Sequence, residues 1–318
     1  MINKRDLRIV FMGTPDFAVG VLRSLVENGY PIVGVITAPD KPAGRGRKLR
    51  ASAVKTYALS QDLPVLQPTK LKSEDFLAQL KALEANLQIV VAFRMLPKVV
   101  WQLPAYGTFN LHASLLPQYR GAAPINWAII NREKKTGVTT FFIDEKIDTG
   151  AIIASEEVDI LENETVGSLH VTLMEVGSKL VLKTVDLIEE DKVTPINQPK
   201  TEVFKEAPKL NFENTRIDWT HSMESIDALV RGLNPYPVAW TTLFEQDTEQ
   251  KVKIHQVSAI EESHDYPIGS IISSKKELKV AVEKGYLYIK ELQLPGKRKM
   301  KIADLLNGYS FEKGARFV

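Results

Sequence analysis

The first 36 residues alternate between short apolar runs and one stretch of helical periodicity. Residues 7–12 are continuously apolar and end at Gly13-Thr14-Pro15-Asp16, after which apolar side chains recur at helical spacing over residues 17–25. Thr14 is suited to cap that helix, and Asn28-Gly29 is suited to end it. A second apolar run at 32–36 completes a strand, a helix and a strand, which predicts a βαβ unit and a parallel sheet.

The same pattern continues to about residue 188. Apolar runs at 87–93, 108–111 and 139–143 predict further strands, and the spacing at 122–131 and 166–187 predicts helices. We therefore expect an α/β domain with an open, Rossmann-like, mostly parallel sheet and helices on both faces. Sheets of this kind bind ligands at the carboxyl ends of their strands.

Residues 189–209 break the apolar rhythm with acidic, polar and proline residues, which predicts a linker. Beyond it, strand-like runs at 252–257, 269–272, 278–282 and 286–292 are divided by polar turns, which is typical of a small β-barrel. The predicted organisation is a domain over 1–188, a linker over 189–209 and a second domain over 210–318.

Composition excludes several classes of function. The chain of 318 residues has no cysteine, which rules out disulfides, thiolate zinc sites and a cysteine nucleophile. No two of its five histidines lie at a metal-ligand spacing, so we expect no metal. No apolar run is long enough to span a bilayer, and the first six residues do not resemble a signal peptide, so a cytoplasmic location is expected.

Candidate chemistry lies where one of the predicted strands ends. Asn110 and His112 are two residues apart, so in an extended strand their side chains emerge on the same face, and Asp148 follows the next predicted strand. An amide can stabilise an oxyanion, an imidazole can exchange protons near neutral pH, and a carboxylate can hold the imidazole. Each residue alone also fits a structural role: a core histidine, a turn-forming asparagine, and an aspartate in a turn.

The whole string resembles the signature of the folate-dependent formyltransferases. The likeness extends from Arg8 near the start to Gly308 near the end and is densest in one segment, Asn110-Leu111-His112-Ala113-Ser114-Leu115-Leu116-Pro117-Gln118-Tyr119-Arg120-Gly121-Ala122-Ala123-Pro124. It implies catalysis by Asn110, His112 and Asp148, with His112 acting either in proton transfer or on the oxyanion. The implied formyl donor is 10-formyltetrahydrofolate. The implied C-terminal fold is an oligonucleotide-binding-type barrel, which the resemblance leads us to expect to bind tRNA.

The resemblance also implies a folate pocket. It assigns Ser114, Leu115, Leu116 and Pro117 to that pocket. This chain departs from its relatives at Phe93-Arg94, where Tyr-Gly is frequent. Arg94 could therefore reach the carboxylate tail of the folate or simply face solvent.

Two basic clusters favour a polyanionic substrate although the net charge is only +2. The resemblance implies that the first cluster approaches the acceptor end of an initiator methionyl-tRNA, and it makes the second a further candidate for RNA backbone contacts; no obligate protein partner is implied. The first cluster contains Lys41, Arg45, Arg47, Lys48 and Arg50, and the second contains Lys297, Arg298 and Lys299.

Two other functions compete with formyl transfer to tRNA. One is a formyltransferase or formyl hydrolase that acts on a small molecule and shares the same three catalytic residues. The other is a non-catalytic RNA-binding protein on an old enzyme fold, against which the intact set of Asn110, His112 and Asp148 argues.

Overall fold

The computed structural model describes residues 4–43, 48–200 and 203–318. The chain forms two compact units. The first comprises Met1–Gly121, Thr136–Asp159 and His170–Glu206, and the second comprises Ala122–Lys135, Ile160–Leu169 and Ala207–Val318. Two short segments from before residue 170 thus group with the C-terminal residues. The domain boundaries at residues 188 and 210 stay a prediction.

The elements follow one another along the chain in this order. The strands up to residue 207 are β1 (Ile9–Gly13), β2 (Ile32–Ile36), β3 (Lys41–Ala43), β4 (Lys48–Arg50), β5 (Val65–Leu66), β6 (Leu87–Val91), β7 (Thr108–His112), β8 (Arg120–Gly121), β9 (Lys135–Phe142), β10 (Ile152–Asp159) and β11 (Glu206–Ala207). The helices in this part are α1 (Asp16–Glu27), α2 (Ala53–Ser60), α3 (Glu74–Ala82), α4 (Lys98–Trp101), α5 (Pro124–Ile130) and α6 (Val166–Glu189). A 3₁₀ turn at Glu213–Thr215 precedes α7 (Met223–Leu233), β12 (Ala239–Glu245), β13 (Thr248–Glu261), β14 (Ile271–Ser273), β15 (Leu278–Val282), β16 (Gly285–Gln293), β17 (Met300–Lys301), α8 (Ile302–Leu306) and β18 (Arg316–Phe317). No helix in the described part of the chain has the length and apolarity needed to cross a membrane.

The first unit is built on a seven-stranded sheet with the order β10-β9-β7-β6-β1-β2-β5. Strands β5, β2, β1, β6 and β7 are parallel, and β9 runs antiparallel to β7. The predicted open, mostly parallel sheet is therefore confirmed. The chain leaves β1 for β2 on one side and returns to β6 on the other, and this reversal of strand order creates a crevice at the carboxyl ends of β1 and β6.

Helices cover both faces of this sheet. Successive residues of its strands direct apolar side chains to opposite faces, so each face needs a covering layer. Val10 and Met12 pack into one apolar cluster with Phe76 of α3 and Val100 of α4. On the other face α6 lies so close to β7 that a Cβ added at Gly177 would come within 2.9 Å of the Leu111 side chain. The helices that flank the sheet thus make its strands a buried, rigid platform.

The first helix begins one residue later than its sequence indicates. Pro15 occupies the N-cap position, and its carbonyl accepts hydrogen bonds from the backbone of Ala18 and Val19, at 3.0 and 3.4 Å. The prediction that Thr14 caps this helix is wrong, because the fixed φ of proline already sets the entry. The predicted end is confirmed, since Asn28 is the C-cap and Gly29 has a φ of +76°.

The second unit is a nearly closed antiparallel barrel. Its strands follow the order β14-β15-β16-β13-β12-β18, and β17 pairs with β16. Hydrogen bonds of Ile271 to Ala315 and of Phe317 to Gly269 bring the two edges together, at 3.1 and 2.9 Å. Helix α7 packs on the strands and adds to a continuous apolar core. The four predicted strands are confirmed, β15 with the predicted ends and β13, β14 and β16 with shifted ends, whereas β12, β17 and β18 were not predicted.

We expect the barrel core to be the main source of stability of the second unit. Ile289 on β16 is 1% exposed within that core, so Ile289→Ala should lower the free energy of unfolding by about 2–5 kcal/mol. Urea denaturation followed by circular dichroism measures the loss. Ile260→Ala on β13 is the matched control, because Ile260 is 46% exposed and its truncation leaves no cavity. Equal losses from both variants would contradict this account of the core.

Candidate active site

The carboxyl ends of β1, β6 and β7 lie level with one another. Gly13 is paired with Val91 and Val91 with Leu111 in the parallel register. Asn110 and His112 flank Leu111, so their side chains emerge on one face of β7 at this edge of the sheet. Asn110 is partly buried, and no group among the described residues hydrogen-bonds to its side-chain amide. That amide can therefore donate to a bound molecule.

His112 is fixed by a hydrogen bond at one ring nitrogen. Its Nε2 lies 2.8 Å from the carbonyl oxygen of Tyr119, and the side chain is 7% exposed. Because a carbonyl oxygen only accepts, Nε2 must carry a hydrogen. In the neutral imidazole the lone pair then resides on Nδ1, and Nδ1 lies 3.8 Å from Oδ2 of Asp148. Nδ1 is therefore the ring nitrogen of His112 that is available to exchange a proton.

Asp148 is held by the loop in which it lies. Its Oδ2 accepts a hydrogen bond of 2.9 Å from the backbone of Gly121, and its own backbone has a φ of +55°. Next along the chain, the Thr149 hydroxyl donates to the carboxylate of Asp144 at 2.7 Å and ties the loop together. A Cβ at Gly150 would lie 1.6 Å from the carbonyl oxygen of Phe142, so this position requires glycine. The string Asp148-Thr149-Gly150 thus combines the candidate catalytic carboxylate, a side chain that anchors the loop and a close approach of two backbones.

A second layer of contacts supports this loop through Gln198. The Gln198 amide donates to the carbonyl oxygens of Asp148 and Gly150, at 2.8 and 2.9 Å. Its Oε1 accepts two hydrogen bonds from the Arg120 guanidinium, at 3.1 and 2.5 Å. Arg120 adjoins Tyr119 and Gly121, which contact His112 and Asp148 respectively. One amide therefore bridges the two segments that position the imidazole and the carboxylate.

A cavity of about 820 Å³ also opens at the carboxyl edge of the sheet, beyond the end of β1. Its polar lining includes Asp16, Arg23, Arg50 and Tyr57, and the Arg23 guanidinium lies 5.5 Å from the centre of the Tyr57 ring. Arginine beside a tyrosine ring suits a ligand that carries phosphate and an aromatic base.

Models of known protein families match both halves of the chain. A family model described as "Formyl transferase" matches residues 7–185, and a second, described as "Formyl transferase, C-terminal domain", matches residues 209–310. The chain belongs to the formyl transferase family. The resemblance noted in the sequence is therefore confirmed.

Curated members of the formyl transferase family match this chain along almost all of its length. A methionyl-tRNA formyltransferase of Flavobacterium johnsoniae is 58% identical over 310 residues, which are 98% of this chain and 98% of that protein. A methionyl-tRNA formyltransferase of Flavobacterium psychrophilum is 57% identical over 312 residues, which are 98% of this chain and 99% of that protein.

A solved structure shares the fold at much lower identity. HypX from Aquifex aeolicus, solved in complex with tetrahydrofolic acid, superposes with a TM-score of 0.64 at 18% identity and covers 95% of this chain. This chain spans 47% of the length of HypX, so the likeness supports the formyltransferase fold alone.

The predicted folate segment lies directly after β7. Ser114, Leu116 and Pro117 are buried and Leu115 is half-buried. The Ser114 hydroxyl donates to the carbonyl oxygen of Gln118 at 2.7 Å, so it is used within the loop itself. A contact between this segment and folate stays a prediction.

Arg94 is exposed, and its guanidinium is already engaged in hydrogen bonds within the protein. Its guanidinium donates to the carbonyl oxygens of Thr69, at 2.9 Å, and of Pro68. Partial burial lowers the pKa of Arg94 below its usual value. The departure from the family pattern at Phe93-Arg94 thus ties the loop after β6 to the loop after β5.

The structure describes some, but not all, of the residues that we predict to contact RNA. Lys41 and Arg50 are exposed on the hairpin of β3 and β4, Arg45 and Arg47 lie outside the described residues, and Lys48 is described in its backbone only. Lys297, Arg298 and Lys299 are exposed in the turn before β17, where Lys299 forms an ion pair of 2.6 Å with Glu291. Within the described residues, no three or more histidine, cysteine or acidic side chains are grouped as a metal site.

Gln198 gives a direct test of how the site is held. In Gln198→Glu a carboxylate would face the carbonyl oxygens of Asp148 and Gly150, and we expect kcat to fall about 10- to 100-fold because small displacements of reacting groups are costly. The KM for the formyl donor should change less than about twofold. Steady-state formyl-transfer kinetics measure both values.

The matched control is Asn86→Asp. The Asn86 amide also bridges two segments of the same unit, since it donates to Asp6 and accepts from the backbone of Arg8, at 2.7 and 2.8 Å. It precedes β6, at the opposite end of the strands. An equal fall of kcat in both variants would mean that Gln198 acts only through general stability.

Proposed function

We propose that this chain transfers the formyl group of 10-formyltetrahydrofolate to the free amino group of the methionyl residue on initiator tRNA. The family supplies the reaction class, and the names of the curated relatives that match almost the whole chain supply the acceptor. The observation that carries the proposal is the geometry at β7, where the Asn110 amide has no acceptor among the described residues and His112 directs Nδ1 at Asp148.

Asn110, His112 and Asp148 each have a different role in the proposed reaction. Bound 10-formyltetrahydrofolate supplies the activated formyl carbon. As the amine nitrogen bonds to that carbon, negative charge develops on the formyl oxygen, and Asn110 donates a hydrogen bond to it. The amine must lose one proton and the departing nitrogen must gain one, and both steps need an acid–base group near neutral pH.

His112 and Asp148 form that acid–base group. Tyr119 occupies Nε2 of His112, so the proton enters and leaves at Nδ1. The Asp148 carboxylate, 3.8 Å from Nδ1, stabilises the imidazolium when it forms. A proton donor of the substrate that lies beside this pair can be within hydrogen-bond distance of both atoms.

A tRNA acceptor suits the charged groups at the same edge of the sheet. The hairpin of β3 and β4 presents Lys41 and Arg50, and the adjacent cavity adds Arg23 and the ring of Tyr57. The acceptor end of a tRNA offers phosphates and unpaired bases, which match cationic and aromatic side chains. A small amine or water as acceptor would have no need of these groups.

We further propose that this activity serves translation initiation and that the protein is cytoplasmic. Initiator tRNA is used by ribosomes, and the formyl group must be added before it reaches them. The location is inferred from this role.

The direct test is formyl transfer from 10-formyltetrahydrofolate to methionyl initiator tRNA. Methionyl elongator tRNA and free methionine are the control acceptors, and the formylated product is separated and counted. We expect transfer to the initiator alone. Transfer to free methionine at a comparable rate, or no transfer to the initiator, would overturn the assignment of the acceptor.

Asn110→Ala tests the oxyanion donor. Removing one such donor typically lowers kcat about 10²- to 10³-fold, and we expect a loss in that range while tRNA and folate still bind. Asn28→Ala is the control, because the exposed Asn28 amide donates only to the end of α1, to the carbonyl oxygen of Ser24 at 2.8 Å. A kcat within about twofold of the parent in Asn110→Ala would contradict the assigned role.

A further inference from the structure

The connection between β2 and α2 is much longer than a strand and a helix of an α/β unit require. It spans residues 37–52, whereas such connections usually have about 2–6 residues. Connections beyond about 12 residues are uncommon in compact domains and are frequently functional. Part of this one folds back as the hairpin of β3 and β4, which belongs to the segment 41–50 with the first basic cluster.

The two ends of this connection are hydrogen-bonded to each other. The hydroxyl of Thr37, which directly follows β2, lies 2.7 Å from the hydroxyl of Ser52. Thr37 is fully buried, and Ser52 is the N-cap of α2, where its Oγ accepts the backbone N–H of Lys55 at 3.0 Å. Because α2 itself buries Val54 and Ala58, the connection leaves and rejoins the first unit at fixed points.

A carboxylate at the base of the hairpin is bound at both of its oxygen atoms. Oδ2 of Asp40 accepts a hydrogen bond from the Lys55 ammonium at 2.6 Å, and Oδ1 accepts one from the Gln67 amide at 2.8 Å. The same Gln67 amide donates to the carbonyl oxygen of Ala38, also at 2.8 Å. We call Asp40, Lys55 and Gln67 the hairpin anchor. It joins the residue before β3 to helix α2 and to the residue after β5.

The hairpin anchor is more constrained than an ordinary surface ion pair. The side chains of Lys55 and Asp40 are only 22% and 27% exposed. The hydrogen bonds from Lys55 and Gln67 lower the pKa of Asp40, so its carboxylate is charged at neutral pH. A surface ion pair contributes little when two long side chains must be ordered for one contact, but here Gln67 already orients the carboxylate through its second oxygen. The anchor therefore fixes the direction in which the chain enters β3.

The hairpin anchor also affects which cations of the hairpin are unpaired. Asp40 is the only acidic residue in the segment 28–61. Because Lys55 binds it from α2, Asp40 is not available to Lys41 or to Arg50, which are paired with each other in the register of the hairpin. Neither Lys41 nor Arg50 forms an ion pair among the residues that the structure describes.

We propose that Asp40, Lys55 and Gln67 are positioning residues for the RNA substrate, which fix the base of the β3–β4 hairpin and so hold its cations where they meet the phosphates of the acceptor end. The inference rests on the proposed function for the identity of the substrate. Preorganisation raises affinity because less ordering remains to be done on binding. None of the three residues belongs to a basic cluster or to the candidate catalytic set, so the effect should be on KM for tRNA and not on kcat.

Asp40→Asn is the decisive variant, because positioning and simple charge attraction predict opposite results for it. The substitution removes a negative charge beside the basic cluster, so charge attraction alone would tighten tRNA binding. Loss of the hairpin anchor should instead weaken it, and we expect KM for tRNA to rise about five- to tenfold. The values of kcat and of KM for the formyl donor should stay within about twofold.

Three further variants complete the test. Lys55→Gln and the double variant Asp40→Asn with Lys55→Gln should each resemble Asp40→Asn, because residues that act as one unit are not additive. Lys55→Arg keeps the positive charge and should recover most of the affinity. The matched control is Lys4→Gln, which also removes one lysine charge from an ion pair of the first unit, that of Lys4 with Glu189 at 2.5 Å. Its KM for tRNA should stay within about twofold of the parent.

Kinetics and binding are measured on the full-length protein. Steady-state formylation at varied concentrations of methionyl initiator tRNA gives kcat and KM, and filter binding gives the dissociation constant of the tRNA. Hydrogen exchange of the free protein adds a readout that needs no RNA. In Asp40→Asn the backbone amides of β4 should exchange about tenfold faster than in the parent, while those of the central strand β6 are unchanged.

The outcomes separate this inference from the proposed function. Unchanged or tighter tRNA binding in Asp40→Asn, parental KM in the double variant, or an equal rise of KM in Lys4→Gln and Lys55→Gln would each overturn the positioning role while the proposed function stands. If Asp40→Asn binds tRNA more weakly and exchanges faster at β4, but the parent transfers no formyl group to tRNA, the positioning role is upheld and the proposed function fails.

Discussion

The hydrogen bond between Nε2 of His112 and the carbonyl oxygen of Tyr119 decides how the whole site can work. A carbonyl oxygen cannot donate, so this bond fixes the tautomer of the imidazole and leaves Nδ1 to face Asp148. A hydroxyl in place of that carbonyl would leave both tautomers open. The acid–base function that we propose for the site therefore depends on a backbone atom and on the conformation that directs it.

That conformation is costly, and the surrounding loops maintain it. Tyr119 and Asp148 have φ values of +59° and +55°, which cost of order 1–3 kcal/mol each for residues other than glycine. The backbone of Tyr119 donates to Lys205 at 2.6 Å, and Gln198 holds the carbonyl oxygen of Asp148. Gln198 and Lys205, which both fall in the stretch that the sequence predicts as a linker, thus support the two strained residues.

Local patterns predicted the strands of the platform and singled out the three candidate catalytic side chains, but they did not predict the residues that support them. Strands β1, β2, β6 and β7 and helices α1 and α6 follow from apolar spacing, which is a property of neighbouring residues. Gln198 lies 50 residues from Asp148 and 78 from Arg120, among prolines and polar residues that give no periodic signal. Arg94 was equally ambiguous, because the carbonyl oxygens it binds belong to a loop about 25 residues earlier.

Whether a cation is available to a ligand likewise depends on its ion pairs in the folded protein, and not on runs of like charge along the sequence. Lys299 belongs to a conspicuous basic run, yet Glu291 neutralises it at 2.6 Å. Arg216, Lys251 and Arg316 are far apart in sequence, and strand pairing around Trp240 and Phe244 brings them onto one surface. None of the three forms an ion pair with a carboxylate among the residues that the structure describes. With a net charge of only +2, the attraction for a polyanion depends on which cations remain unpaired. The register of the barrel strands determines which cations remain unpaired, because it fixes the neighbours of each charged side chain.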